Sequence, residues 1–444
     1  MNAVHAVRLL AVSLLLSTLC FADSQVRIVR LSSVDGDVQV DRNTGQGFEK
    51  AFLNLPITEG VKLQTGNGGR AEVEFEDGSV VRLAPGAMVE FSHLALRDSG
   101  SKTSNIKVHQ GTAYIDFRAG KDDEFTVSFG RETVTLKDAA HFRVQMNDAN
   151  AALAVFKGNI KVEGVSGAVD IEKNESVTFD LASQDRYETA KLENAPFDSW
   201  DKEQGKYHDA YFNKNHDYVS GGYGVSDLNY YGSFFNAPGY GSLWQPYFVS
   251  AGWDPFMDGA WAYYPGSGYA WVSAYPWGWT PFHCGSWLYG PSFGWGWQPG
   301  GCSNGFGFPT FINAPTNFRR PIPPSGAPGR GTIVMTPRPI SRPLVPARRL
   351  VIENNSAGLG IPRGSINVRD MSHLSTVVRQ NGSATANFRP SPIVAPRPVM
   401  SNAGAPRSSS PNSTPRASAP VSRAPSAPMA MPRSSPAPRG TNKK

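Results

Sequence analysis

Residues Ala71 to Phe91 read AEVEFEDGSVVRLAPGAMVEF. Val73 and Phe75 alternate with Glu72, Glu74 and Glu76, the chain reverses at Asp77-Gly78, and apolar residues resume at Val81 and Leu83. An Asp-Gly pair between alternating segments is the strongest short-range hairpin signal. The three glutamates share one strand face, which in an alternating strand reads as the wet one and not as an acid/base dyad. Similar short units follow at Gly111 to Phe117, Phe125 to Phe129, Phe142 to Gln145, Ala154 to Val162 and Ser176 to Phe179. Strands of this length and spacing predict an all-β domain of sandwich, barrel or roll type over residues 26–181.

The same region resembles the FecR-like domain. The residues that carry the resemblance are Val34-Asp35-Gly36-Asp37-Val38, then Gly60-Val61-Lys62-Leu63-Gln64-Thr65-Gly66 running into Gly69-Arg70-Ala71, then Phe75 to Leu83. Val155-Phe156-Lys157-Gly158-Asn159-Ile160-Lys161-Val162 is similar to that family's closing hairpin. Two places depart from the pattern: Ala139-Ala140-His141-Phe142 replaces a Gly-Thr before the late aromatic strand, and Lys173-Asn174-Glu175 replaces a Gly-Glu turn. Both read as turn variation. In the family's regulators a cytoplasmic sigma-factor-binding segment and a membrane helix precede this domain, whereas here a leader precedes it. What the resemblance implies is therefore an exported, non-enzymatic β module.

Residues 1–22 read as a signal peptide: Arg8 gives a positive start, and Leu9 to Phe21 form an apolar run too short to span a bilayer. Cleavage is expected near Asp23, with Cys20 and Ala22 as the small residues before it, which places the mature chain in the periplasm or outside the cell. No later stretch is long and apolar enough for a transmembrane span. The formal charge of +6 divides into +17 from Pro309 onward and −11 before it. That polarity excludes a uniformly basic nucleic-acid-binding domain.

Residues 182–218 form a charged linker, where Pro196, Phe197, Trp200, Tyr207 and Tyr211 predict a helix with its aromatics near one face. His208 and His216 fall within it and read as a solvated pair. Residues 219–308 form a Trp/Tyr/Gly-rich module with a period of 26: Trp253-Asp-Pro-Phe, Gly259, Trp261, Tyr263, Pro265, Gly268 and Trp271 recur as Trp279-Thr-Pro-Phe, Gly285, Trp287, Tyr289, Pro291, Gly294 and Trp297. Each unit predicts one β-hairpin, and two hairpins can cover each other's aromatic face. This module, too, resembles a tryptophan-rich module of unassigned function that follows FecR-like domains. Trp253, Trp261, Trp279 and Trp287 have two readings, as a packed core or as a platform on which a sugar ring or extended peptide stacks. Beyond the leader only Cys284 and Cys302 remain, and in an oxidising compartment they are expected to form one disulfide.

Residues 309–444 hold 24 of the 35 prolines and no Trp or Tyr, a composition that predicts disorder. Its dispersed arginines suit contact with an anionic envelope polymer, or only a solubilising spacer. No His-Glu-x-x-His or phosphate-binding Gly-x-x-x-x-Gly-Lys occurs, and neither a catalytic residue nor a metal or cofactor site is expected. The expected function is an interaction scaffold that docks an envelope protein partner, or binding of glycan or cell-wall polysaccharide through the Trp repeat.

Overall fold

The computed structural model describes residues 25–120, 122–183, 186–215, 218–219, 222–249, 252–302, 309–325 and 356–365. The expected leader and its cleavage point near Asp23 lie outside the described residues, as does His216. None of the described helices is long and apolar enough to cross a membrane.

The protein is mostly β. From Gln25–Val26 to Arg186–Lys191, eighteen strands pair in two ladders that share the 16-residue strand Lys102–Phe117. Its first half lies between Met88–Leu96 and Glu124–Phe129, and its second between Val80–Leu83 and Ala140–Met146. Register shifts at Asn105/Ile106 and Val108/Gln110 bend it, which is how one strand serves both ladders. The ladders wrap one apolar core, to which Val73, Phe75, Val81, Leu83 and Phe91 contribute.

The Asp77-Gly78 reversal forms as expected. Gly78 has φ of 81°, and the Asp77 carboxylate accepts the Ser79 amide at 2.8 Å. In Lys173-Asn174-Glu175, Asn174 takes φ of 68°, the left-handed conformation that asparagine tolerates best after glycine, so the turn survives the loss of glycine.

Helix α1 spans Asp198–Tyr211 and α2 Val225–Tyr231, with a short α3 at Thr280–His283. The helix expected in 182–218 forms as α1, and it buries Asp201 and His208 against Arg82 and Glu72 of the β body and Tyr207 within the aromatic core. The aromatic module holds a five-stranded sheet in the order Gly232–Ala237, Gly241–Pro246, Gly294–Cys302, Cys284–Gly290, Thr310–Ile312, plus the separate hairpin Gly259–Tyr264/Gly268–Ser273.

Both 26-residue units fold as hairpins with directly opposed tryptophans, Trp261 to Trp271 and Trp287 to Trp297. A third copy precedes them. In Gly232–Ala237/Gly241–Pro246, Phe234 opposes Trp244, and the glycine stands twelve residues before the second-strand tryptophan in all three hairpins. The spacing has a steric cause: a Cβ on Gly232 would lie 2.3 Å from the Trp244 ring, one on Gly259 2.3 Å from Trp271, and one on Gly285 2.9 Å from Trp297 Nε1. The glycine leaves the space that the indole of the paired strand occupies.

Two stretches of the region expected to be disordered are ordered on the body. Thr310–Ile312 adds a parallel strand beside Cys284–Gly290, and in 356–365 the residues Ala357, Leu359 and Ile361 are buried. Of the region from residue 309 onward, 326–355 and 366–444 lie outside the described residues.

Candidate functional site

The four candidate platform tryptophans are buried, with relative exposures of 3% for Trp253, 7% for Trp261 and 0% for Trp279 and Trp287. Protein covers their faces. Trp253 lies 6.0 Å from Trp287 between ring centroids, Trp261 lies 5.4 Å from Trp271, and Trp279 stacks on His283 at 4.1 Å. Trp253 Nε1 donates to Tyr275 Oη and Trp287 Nε1 to the Pro281 carbonyl, so their polar edges are also used internally. A ring in this state offers no surface to a sugar, and the stacking platform is not formed by these residues. Cys284 is disulfide-bonded, and Cys302 stands opposite it in the strand register.

Gly290-Pro291-Ser292-Phe293-Gly294 has the spacing of a hydrolase nucleophile elbow. It is the reversal of the hairpin between Cys284–Gly290 and Gly294–Cys302, whereas an elbow needs a strand-to-helix turn.

The densest constellation of charge was misread from the alternation. Strand Arg70–Glu74 is buried on both faces, because His208 of α1 and Arg363 cover the side that would otherwise be wet. Glu72 and Glu74 are 0% exposed. Register supplies their partners, since Glu72 stands directly opposite Arg82 and Glu74 opposite Arg30. Arg82 Nε donates to Glu72 Oε2 at 2.7 Å and its Nη1 to Asp201 of α1 at 2.7 Å. Arg30 reaches Glu74 at 3.0 Å, Asp227 of α2 at 2.7 Å and the Pro276 carbonyl at 2.5 Å. His208 Nε2 lies 3.0 Å from Glu72 Oε1 while its Nδ1 meets Ser226 Oγ, so the expected solvated histidine is a buried bridge from α1 to both neighbours. Arg363 closes the set on Glu72 and Asp227.

The electrostatics follow from this geometry. Burial alone would push the Glu72 carboxyl up, but His208, Arg363 and Arg82 outweigh it and hold it well below the usual carboxylate range. Asp227 behaves alike: burial acts upward, and Arg363, Arg30 and the Tyr207 hydroxyl bring it down. Asp201 is lowered by His141 and Arg82 against the same penalty. Each carboxylate is therefore held charged and fully engaged, which is what a structural tie requires and the opposite of a poised acid or base. Among the described residues, no group of three or more His, Cys, Asp or Glu is arranged to hold a metal.

A second seam joins the same two regions. Hairpin 259–273 turns Ala262, Tyr264, Ala270 and Val272 into the apolar core of the β body, and Trp261 and Trp271 into the aromatic core. Tyr264 donates to the Pro56 carbonyl at 2.6 Å, and Asn54 Nδ2 to the carbonyls of Ser273 and Tyr275.

The β body with its Asp-Gly hairpin and late strand pair matches the FecR protein family over residues 61–161. The chain carries a FecR domain. Residues 225–319, from α2 through the aromatic hairpins, match DUF6600, a family of unknown function. Two crystal structures of an anti-sigma factor candidate from Parabacteroides distasonis ATCC 8503 are similar to part of the chain. One is 18% identical, with 31% of this chain and 63% of that chain covered, at a TM-score of 0.28. The other is 16% identical, with 33% and 71% covered, at 0.27. The chain thus spans under two thirds of the first of these. Among curated proteins, nothing matches.

Proposed function

We propose that this protein is an exported, non-enzymatic envelope protein whose FecR domain docks a protein partner, with the DUF6600 region as a rigid buttress. The observation that carries this reading is the sheet end Arg186–Lys191, the last strand of the β body, which extends it past the expected boundary at 181 and beyond the residues 61–161 that match the FecR family. All six of its residues are exposed, and among the described residues it pairs only on one side, with Glu175–Asp180. An open edge of this kind accepts an added strand from a partner, with main-chain hydrogen bonds for affinity and alternate side chains for selection. Arg186, Glu188 and Lys191 place charge along it, which discourages pairing with a second identical edge. The mature chain acts in the periplasm or outside the cell, and its basic tail gives salt-sensitive contact with anionic envelope polymer.

The test places a photo-crosslinking residue at Glu188, and as a control at the exposed Val165, in cells that make the protein. Protein adducts are expected from position 188 and not from 165. Adducts equal at both positions, or none together with co-sedimentation of the protein with purified cell wall, would overturn the edge-docking reading in favour of glycan binding.

A further inference from the structure

Residues 356–365 have neither helix nor strand, yet they fill the junction between the FecR domain and the DUF6600 region. The Ala357 amide donates to the Phe248 carbonyl, Trp277 Nε1 donates to the Ala357 carbonyl at 2.6 Å, and the Tyr231 hydroxyl donates to the Ile361 carbonyl at 2.7 Å. Leu359 and Ile361 are 9% and 5% exposed within the aromatic core. Two residues later the Arg363 guanidinium uses every nitrogen. Nε and Nη2 each meet Asp227 at 2.9 Å, Nη1 meets Glu72 at 2.7 Å, and Nη2 also meets the Ser32 carbonyl at 3.0 Å. Its face lies over the Tyr207 ring at 4.9 Å.

The pocket that receives this arginine is built by the body without the segment's help. Glu72 comes from a FecR strand, Asp227 from α2 and Tyr207 from α1, and Arg30 and Arg82 hold both carboxylates in place. With Arg363 removed, Glu72 keeps Arg82 and His208, Asp227 keeps Arg30 and the Tyr207 hydroxyl, and the two buried carboxylates lose the cation that bridges them, so the pocket is one that receives a cation. The forked, bidentate contact together with the stacked aromatic face selects a planar guanidinium over an ammonium.

We propose that this junction is a peptide-binding site for a turn-forming segment of the form aliphatic-Gly-aliphatic-Pro-Arg, with Gly360 at φ of 70°, and that Leu359 to Arg363 is its ligand, carried on the same chain and releasable as a unit. The segment reaches the site across the 30 residues of 326–355. It acts as a strap that ties the DUF6600 region to the FecR domain, at a surface separate from the open edge at 186–191.

The test uses the full chain with a specific protease site inserted within 326–355, cut after folding. The wild-type fragment that carries 356–444 is expected to co-elute with the body at micromolar concentration. A chain with R363A is expected to lose it, by roughly 100-fold or more in affinity, and R363K to lose it as well. On the wild-type body, excess synthetic peptide 356–365 displaces the fragment, while the same peptide with R363A does not. That arm needs no variant protein to fold. Loss of the wild-type fragment on cutting, failure of the peptide to displace it, or equal displacement by the R363A peptide would each overturn the proposal.

Discussion

His283 packs flat against Trp279 and bonds through Nδ1 to the Trp279 carbonyl at 2.8 Å. Burial is the dominant influence on this imidazole and lowers its pKa to about 4. In the unfolded chain it titrates near 6.5, so between pH 6.5 and 4 the unfolded state binds the extra proton. The contribution of His283 is fully present above about pH 6.5 and drains away as pH falls to 4, by about 3 kcal/mol in all. Denaturant melts across that range are expected to show the slope, and His283→Gln to flatten it. Trp261 and Trp287 make a second test at this scale. Each is buried against an opposed tryptophan, and truncation to alanine is expected to cost roughly 3 to 5 kcal/mol, with loss of near-UV circular dichroism. Variants that stay fully folded would show that these indoles do not hold the aromatic core. Glu72 is the instructive misreading. Alternation identifies two faces of a strand, but whether the second is wet depends on what later covers it, and the cover here is the helix at 198–211 and an arginine 291 residues downstream. The legible signal was the arginine set opposite each glutamate, Arg82 and Arg30, at positions in neighbouring strands where a purely apolar inner face would have none.

The hairpins were readable because turn chemistry and period act locally. Asp77-Gly78 and the 26-residue aromatic units both depend on residues within a dozen positions of one another. The third copy is hidden from sequence identity because its first strand carries Phe234 where the others carry tryptophan, while the glycine-to-indole spacing persists. The helix Asp198–Tyr211 was placed by its start, but its buried side was not, since Asp198, Asp201 and His208 face the sheet as ion-pair and hydrogen-bond partners in place of an apolar stripe. In the hairpin 284–302, the ladder sets Cys284 across from Cys302. Thiol labelling of the unfolded, unreduced mature protein is expected to find no free sulfhydryl, and Cys302→Ser to lower stability by roughly 3 kcal/mol. Two labelled cysteines would refute the pairing.

Across the whole molecule, hairpin 259–273 belongs to two apolar cores and the Glu72 cluster joins three strands of the body to α1 and α2, so neither the FecR domain nor the DUF6600 region can expose its side of the seam without unfolding the other. A single calorimetric transition is expected, coincident with loss of tryptophan near-UV signal. Two separated transitions would show that the seam contributes little to cooperativity. Composition could not reveal this coupling, because the partners of Arg30 and Asn54 at Asp227, Pro276 and Tyr275 lie some two hundred positions away and carry no local pattern. The same distances bear on how the chain is made. Synthesis runs from the N-terminus, and Glu72 and Asp227 both exist long before Arg363 does. Until that residue is in place, Glu72 has Arg82 and His208, Asp227 has Arg30 and the Tyr207 hydroxyl, and no other described residue bridges the two carboxylates. A chain cut before position 363 thus differs from the whole one at a single buried pocket, and protease sensitivity along the seam is where that difference is expected to show.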